Sequence, residues 1–321
     1  MQIVDLNKES FKGQCVVGLG NFDGFHLGHQ SIFKNVKALA KLKGVSSAIL
    51  IFKHHTKVAL GKKEKRYLTS FEDKIAIAEK LGLDTAFLLE FDNSFSKQTP
   101  QEFISLILKE KMGVTGVVVG ENFLFGHKAS GNIQTLKDFE KEFQYETIIA
   151  NSVYYQDEMI SSTRIRNALC KKKLKTANAC LGRFYRIYGN VVHGKHRGRK
   201  LGFPTANIQL SDNYLLPSSG VYLTITSFDG KKFLSMTSIG ENITFNERDY
   251  KIESHLIDFN GNLYGEKIKI EFVEFIRDNI KFNSVEELIE QIKKDVNYAR
   301  KHEKICKNNL FCDILIKVLS R

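Results

Sequence analysis

His26 and His29 stand three residues apart at the end of the stretch Val16-Val17-Gly18-Leu19-Gly20-Asn21-Phe22-Asp23-Gly24-Phe25-His26-Leu27-Gly28-His29-Gln30. An apolar run that reads as a buried strand stops at a glycine-rich turn, and a helix should open at the histidines. Imidazole N–H groups beside the backbone N–H groups of a helix N-terminus make a site for phosphate. The glycines let the backbone approach a ligand closely. Two known phosphate loops are set aside: the third glycine of a Rossmann fingerprint is missing, and no Gly-Lys-Ser/Thr follows.

Two further stretches carry chemistry. In Ile160-Ser161-Ser162-Thr163-Arg164-Ile165-Arg166, hydroxyls at a predicted helix start, with Arg166 one turn later, offer O–H, N–H and guanidinium donors to phosphate. In Gly189-Asn190-Val191-Val192-His193-Gly194-Lys195-His196-Arg197-Gly198-Arg199-Lys200-Leu201-Gly202-Phe203-Pro204-Thr205-Ala206-Asn207-Ile208, glycines and basic residues can form a flap over a nucleotide. The Thr205 hydroxyl and the Asn207 amide oxygen are hard ligands suited to Mg²⁺. The bland alternatives are an ordinary helix cap for the first stretch, and a basic hairpin or nucleic-acid contact on a barrel for the second.

These residues need elements to position them. Through the first half, strand patterns (Val45 to Phe52, Thr85 to Leu89, Thr115 to Gly120) alternate with helical ones. Ser70 with Asp73 signals a helix start, and Thr99-Pro100-Gln101-Glu102 reads as a capping box with proline at the first helical position. Such alternation implies a doubly wound parallel sheet, whose ligands sit beyond the carboxyl ends of the strands. The turns after Val17, Phe52, Leu89 and Val119 should therefore share one cleft. From Arg183 six short strands dominate: Tyr185 to Val192, Phe203 to Ile208, Gly220 to Thr226, Phe233 to Ile239, Ile252 to Ile257 and Ile268 to Phe275. Asp229-Gly230 and Asn260-Gly261 read as hairpin turns, so a small closed antiparallel barrel is expected. A capping box at Ser284 and Glu287 opens a C-terminal helix. The expected division is a domain at 1–180 and a second at 181–321.

The chain of 321 residues, 42% hydrophobic and 26% charged, has ample material for two cores. A net charge of +12 favours polyanionic ligands such as nucleotides, yet lysine is abundant throughout, and nucleic acid is not the expected partner. Five cysteines without a Cys-x-x-Cys argue against a disulfide framework or a zinc site. Neither a signal peptide nor a bilayer-length apolar run is visible, so no membrane partner is expected and a cytoplasmic setting fits.

The two histidine and Ser-Thr-Arg stretches together resemble the adenylyltransferase half of bacterial bifunctional riboflavin kinase/FAD synthetases, itself related to the HxGH nucleotidylyltransferases. The resemblance implies ATP contacts at Gly20, Phe22, Asp23, Gly24, His26, His29, Ser162, Thr163 and Arg166, with His26 and His29 as the catalytic pair. Val119-Gly120-Glu121-Asn122-Phe123-Leu124-Phe125-Gly126 resembles the family's flavin loop, which implies flavin contacts at Asn122 and, from the altered stretch Ile51-Phe52-Lys53-His54-His55-Thr56, at His55. The second half resembles the riboflavin kinase domain. ATP contacts are implied at Gly194, Gly198, Arg199, Gly202, Thr205 and Asn207, and Mg²⁺ at Thr205 and Asn207. In Ile252-Glu253-Ser254-His255 the resemblance makes Glu253 the general base, and it places Arg277 beside the flavin. Ser238, Ile243 and Asn279 depart from the family pattern on that side of the kinase site. The implied activity is phosphorylation of riboflavin to FMN and adenylylation of FMN to FAD, with ATP as donor and Mg²⁺ in both steps. The weaker alternatives are a chain that retains one activity only, and a nucleic-acid binder with a vestigial nucleotide fold.

Overall fold

Six parallel strands form the first unit's sheet in the order β1-β4-β3-β2-β5-β6. The strands are β1 (Gln2–Asp5), β2 (Cys15–Gly18), β3 (Ser46–Phe52), β4 (Thr85–Leu89), β5 (Val114–Gly120) and β6 (Glu146–Ala150). The structure is a computed structural model describing residues 1–53, 66–194, 198, 201–242 and 247–302. It divides into two compact units, Met1–Ser161 and Ser162–Arg321.

The central strands are apolar without alternation because both faces are covered. Val17, Leu50, Phe87 and Val117 pack into one core, and Val16, Ile49, Ala86 and Val118 into the other, against Val36 and Leu39 of α1 (Leu27–Lys43). Gly44, at φ 66, ends α1 in the left-handed conformation that glycine adopts freely. Ser70 caps α2 (Phe71–Lys80) by accepting from the Asp73 amide at 3.2 Å. The capping box at α3 (Pro100–Glu102) closes in both directions, at 3.2 and 2.7 Å. Beyond it the winding loosens to a π-type helix over Phe103–Lys111, which no sequence signal announces. Two short helices, α4 (Ile133–Asp138) and α5 (Glu140–Phe143), lead to β6. A two-strand hairpin, β7 (Tyr154–Tyr155) and β8 (Glu158–Met159), turns through Gln156 and Asp157 at φ 50 and 60.

Because β2 lies between β3 and β5, the chain leaves it to one side and returns later on the other. A crevice opens beyond the carboxyl ends at such a reversal. It lies where the glycine turn and the loop after β5 emerge.

The second unit begins with α6 (Ser162–Cys170) and α7 (Leu174–Leu181), ahead of the boundary expected at 180/181. Both helices are tied to the barrel. Asn178 donates to the Phe272 carbonyl at 2.9 Å and accepts from the Tyr185 amide at 2.7 Å. Two lysines here form ion pairs: Lys172 with Asp278, and Lys175 with Glu274 at 3.1 Å.

The barrel closes in the order β10-β13-β12-β11-β14-β9. Its strands are β9 (Tyr185–Val192), β10 (Ala206–Leu210), β11 (Gly220–Phe228), β12 (Lys231–Asn242), β13 (Glu247–Leu256) and β14 (Lys267–Arg277). Asp229-Gly230 makes the expected hairpin with both residues at positive φ, 46 and 69. The hairpin expected at Asn260-Gly261 is not one. β13 pairs with β10 and β12 while β14 pairs with β11 and β9, so this segment is a longer crossing connection. Strand β11 is buried on both faces. Val221, Leu223 and Ile225 pack with Val296 and Ala299 of α8 (Val285–Arg300). Its other face carries Thr224 and Thr226, which join Ser235, Thr237 and Ser254 in a closed ring of fully buried hydroxyls with links of 2.7 to 3.2 Å. At the head of α8, Ser284 accepts from Glu287 as expected, but the Glu287 carboxylate reaches the Asn283 amide rather than that of Ser284.

Candidate active sites

A cavity of about 1000 Å³ opens beyond the sheet's carboxyl edge in the first unit. Three of the four expected turns contribute, through Gly20 and His26, Phe95 and Asn122, and Phe52 at the end of β3 lines the cavity too, while most of the turn after it lies outside the described residues. At one end His26 and His29 stack with ring centroids 3.6 Å apart and planes 19° from parallel. His26 is the N-cap of α1, and its Nδ1 accepts from the His29 amide at 3.3 Å. An accepting Nδ1 makes His26 a neutral imidazole with its proton on Nε2, a donor suited to a phosphate oxygen.

The turn that presents these rings is strained. Phe22, Gly24 and Phe25 have φ of 44, 95 and 45. Non-glycine residues there cost on the order of 1–3 kcal/mol each, offset by burial of Phe22 and Phe25 against Phe33. Phe22 meets His29 edge-on at 5.2 Å. Asp23, 2% exposed, accepts from the Leu68 amide at 3.0 Å. Gly20, His26 and His29 thus line the cavity, whereas the side chains of Phe22 and Asp23, with Gly24, build the turn behind it.

The other end of the cavity is an aromatic wall that sequence reasoning missed. Phe52, Phe91, Phe95, Phe103, Phe125 and Phe123 follow one another with centroids 5.3 to 6.0 Å apart. Phe95 is set by Asp92, whose carboxylate accepts from the Phe95 amide and the Ser94 hydroxyl, each at 2.7 Å. These bonds hold the Asp92 carboxyl below its usual range. Asn122 lines the cavity; His55 lies outside the described residues. Ser162, Thr163 and Arg166 open α6 of the second unit.

In the second unit a cavity of about 520 Å³ brings together Gly198, Thr205, Asn207, Ser254 and Tyr264. Two glycines are pressed onto the candidate ligands. A Cβ on Gly194 would lie 2.1 Å from the Asn207 amide nitrogen, and one on Gly198 2.4 Å from the Phe203 carbonyl oxygen and 3.2 Å from the Thr205 hydroxyl. Gly202 has φ +84 in open space, and Arg199 lies outside the described residues. Glu253 is the register partner of Asn207, and the pair shares the half-buried face opposite Ile252, Ser254 and Leu256.

Two interactions here had no sequence signal. His255 donates from Nδ1 to the Pro204 carbonyl at 2.8 Å, and His193 stacks on Tyr264 at 4.1 Å. Arg277, expected beside a flavin, clasps Asp295 of α8 through Nε and Nη2 at 3.0 and 2.7 Å. Asn279 donates to the Ile239 carbonyl; Ser238 neighbours Glu253 across β12 and β13; Ile243 lies outside the described residues.

Comparison with known proteins finds one family in each half of the chain. A family model for FAD synthetase matches residues 8–164, and one for riboflavin kinase matches residues 181–303. The bifunctional riboflavin kinase/FMN adenylyltransferase of Listeria monocytogenes is 40% identical over 299 residues, covering 92% of each chain. The chain belongs to the bifunctional riboflavin kinase/FMN adenylyltransferase family. Further family members are the Bacillus subtilis relative, 37% identical over 90% of this chain and 92% of its own, and the Escherichia coli K12 relative, 31% identical over 89% and 92%. A crystal structure described as a macrolide-efflux protein from Streptococcus pneumoniae has a TM-score of 0.85 at 31% identity, covering 94% of this chain and 99% of that one. Among the described residues, no helix is long and apolar enough to cross a membrane. The chain thus carries a family FAD synthetase domain and a family riboflavin kinase domain, each with a cavity of its own.

Proposed function

We propose that this chain phosphorylates riboflavin to FMN in the barrel and joins FMN to AMP in the α/β unit, releasing pyrophosphate. The observation that carries the reading is the two-ended cavity of the first unit. Phosphate donors at the head of α1 and a wall of six phenylalanine rings share one space. An enzyme that joins a nucleotide to a planar tricycle needs both.

For adenylyl transfer, the FMN phosphate attacks the α-phosphorus of ATP, and positioning and charge stabilisation supply the rate. His26, His29 and the α1 N-terminus bind the phosphate oxygens. Ser162, Thr163 and Arg166, at the head of α6, present phosphate donors of their own, and this reading keeps the functional halves at 1–180 and 181–321. The aromatic wall and Asn122 hold the flavin. In the barrel, Glu253 accepts the proton of the ribityl hydroxyl as that oxygen attacks the γ-phosphate of ATP. Asn207, opposite Glu253, and Thr205 present neutral hard oxygens backed by glycines that leave no room for a Cβ. That donor set fits Mg²⁺ shared with ATP phosphates, and no cluster of three His, Cys, Asp or Glu stands among the described residues to hold an ion without them. When bound, Mg²⁺ neutralises phosphate charge.

A cytoplasmic setting belongs to the same reading. Cys15 and Cys170 are free thiols, and burial pushes Cys15 up to about 12. The partners are small molecules rather than nucleic acid, with Lys172 and Lys175 engaged in ion pairs. One incubation with riboflavin, ATP and Mg²⁺, followed by chromatography, tests the proposal. FAD is the expected product. FMN alone would leave a kinase, and neither product would overturn the reading.

A further inference from the structure

We propose that His127 is a positioning residue that latches a strap across the flavin end of the first unit's cavity. The proposal rests on the flavin reading above. The strap is the loop after β5, and it reaches across to the turn after β4. Its contacts there are built to close tolerances. The His127 amide donates to the Gln98 carbonyl at 2.7 Å, and the His127 Nδ1 sits 3.0 Å from the Ser96 carbonyl oxygen. A carbonyl only accepts, so Nδ1 carries the proton and the imidazole is a donor in a fixed orientation.

The backbone on either side has no slack. Gly126, at φ +71, would place a Cβ 2.8 Å from the Pro100 ring, and Gly131 would place one 2.8 Å from the Phe125 ring. Phe125 and Gly131 exchange two backbone hydrogen bonds, at 3.0 and 2.9 Å, which close the strap's base. Lys128 and Ala129 follow His127 at φ of 53 and 58, conformations that persist only where surrounding contacts hold them.

The latch joins the two halves of the aromatic wall. Phe123 and Phe125 ride on the strap, and Phe91 and Phe95 on the opposing turn beside Ser96. His127 and Ser96 both line the cavity between them. A planar tricycle inserted there meets a gap whose width is set by this hydrogen bond, so His127 acts on flavin binding through the strap rather than on the reacting phosphates.

The test uses the full chain, FMN binding read by flavin fluorescence without ATP, and steady-state FAD formation. His127→Ala should weaken FMN binding about fivefold, the loss expected for one neutral hydrogen bond. The KM for FMN should rise to match while kcat and the KM for ATP hold. His127→Asn, whose amide nitrogen takes the place of Nδ1, should restore binding. His127→Gln, which reaches one methylene further, should not. Wild-type FMN affinity in His127→Ala, or equal loss in the Asn and Gln variants, overturns the latch. Absence of FMN binding by the wild type would overturn the flavin reading itself.

Discussion

Asn207 and Glu253 face one another directly across the β10–β13 pair, on one side of the barrel wall. Adjacent strands fix such a spacing far better than a loop does, because the backbone ladder sets it. In the roles proposed for them, a metal-side ligand and a base held at one register position would make a compact device for activating a hydroxyl beside a bound nucleotide.

Glu253→Ala should cut FMN formation about a hundredfold or more, the scale of a lost general base, yet leave FAD synthesis from supplied FMN intact. His29→Ala should do the reverse, by a similar factor for a lost charge-stabilising donor. Chromatography of the two products checks both. If either substitution removed both activities in a folded protein, the assignment would be wrong.

Gly194→Ala should abolish riboflavin phosphorylation, since its Cβ would stand 2.1 Å from the Asn207 side chain. Gly202→Ala meets nothing within 4 Å, so its only penalty is the positive φ, about 1 kcal/mol. The comparison of the two kinase rates separates loss of space from loss of backbone freedom.

Arg277→Ala strands the Asp295 carboxylate, 6% exposed, without its guanidinium. Breaking such a pair costs about 3 kcal/mol, and urea unfolding should register it. Arg277→Lys should recover only part, because a point ammonium cannot repeat the fork. Replacing both residues by leucine should be milder than the single alanine.

The Thr99 amide and hydroxyl hold the Glu102 carboxyl below its ordinary value of 4.5. A carboxyl with a depressed folded-state pKa contributes stability above its ordinary value and loses it as pH falls through the folded one. Glu102→Gln should therefore lower the thermal midpoint by a constant amount above pH 4.5, and that deficit should shrink as pH falls below it, measured by thermal unfolding across pH.

Local signals carried the fold a long way. Ser70, Thr99 and Ser284 each announced a helix that forms, and the six strand patterns after Arg183 correspond to six barrel strands. Where one local rule met a nonlocal constraint it failed. Asn260-Gly261 has hairpin chemistry, but barrel closure sends β13 and β14 to different neighbours. β1 escaped notice because its four residues are half exposed and gain order only from pairing with β4. The histidines were legible because three residues of one helix end carry the pattern. The aromatic wall was not, because Phe52, Phe91, Phe103 and Phe125 come from four separate segments that only the strand order assembles. The Arg277–Asp295 pair was hidden for a related reason: Asp295 lies on a helix that packs back onto the strand.

The ring of five hydroxyls in the barrel has a consequence for how this protein tolerates change. Thr237 donates to Ser254, either oxygen can donate in the other four links, and the Ser235 carbonyl is a further acceptor for Thr224 at 3.1 Å. Deleting any one hydroxyl removes a partner from both of its neighbours in the ring, about 1–3 kcal/mol in all. Deleting its neighbour as well adds less, since the two losses share a link. Single replacements at Thr224, Thr226, Ser235, Thr237 and Ser254 are therefore the harsh ones, and viable sequences reach a different barrel interior by changing these positions in concert.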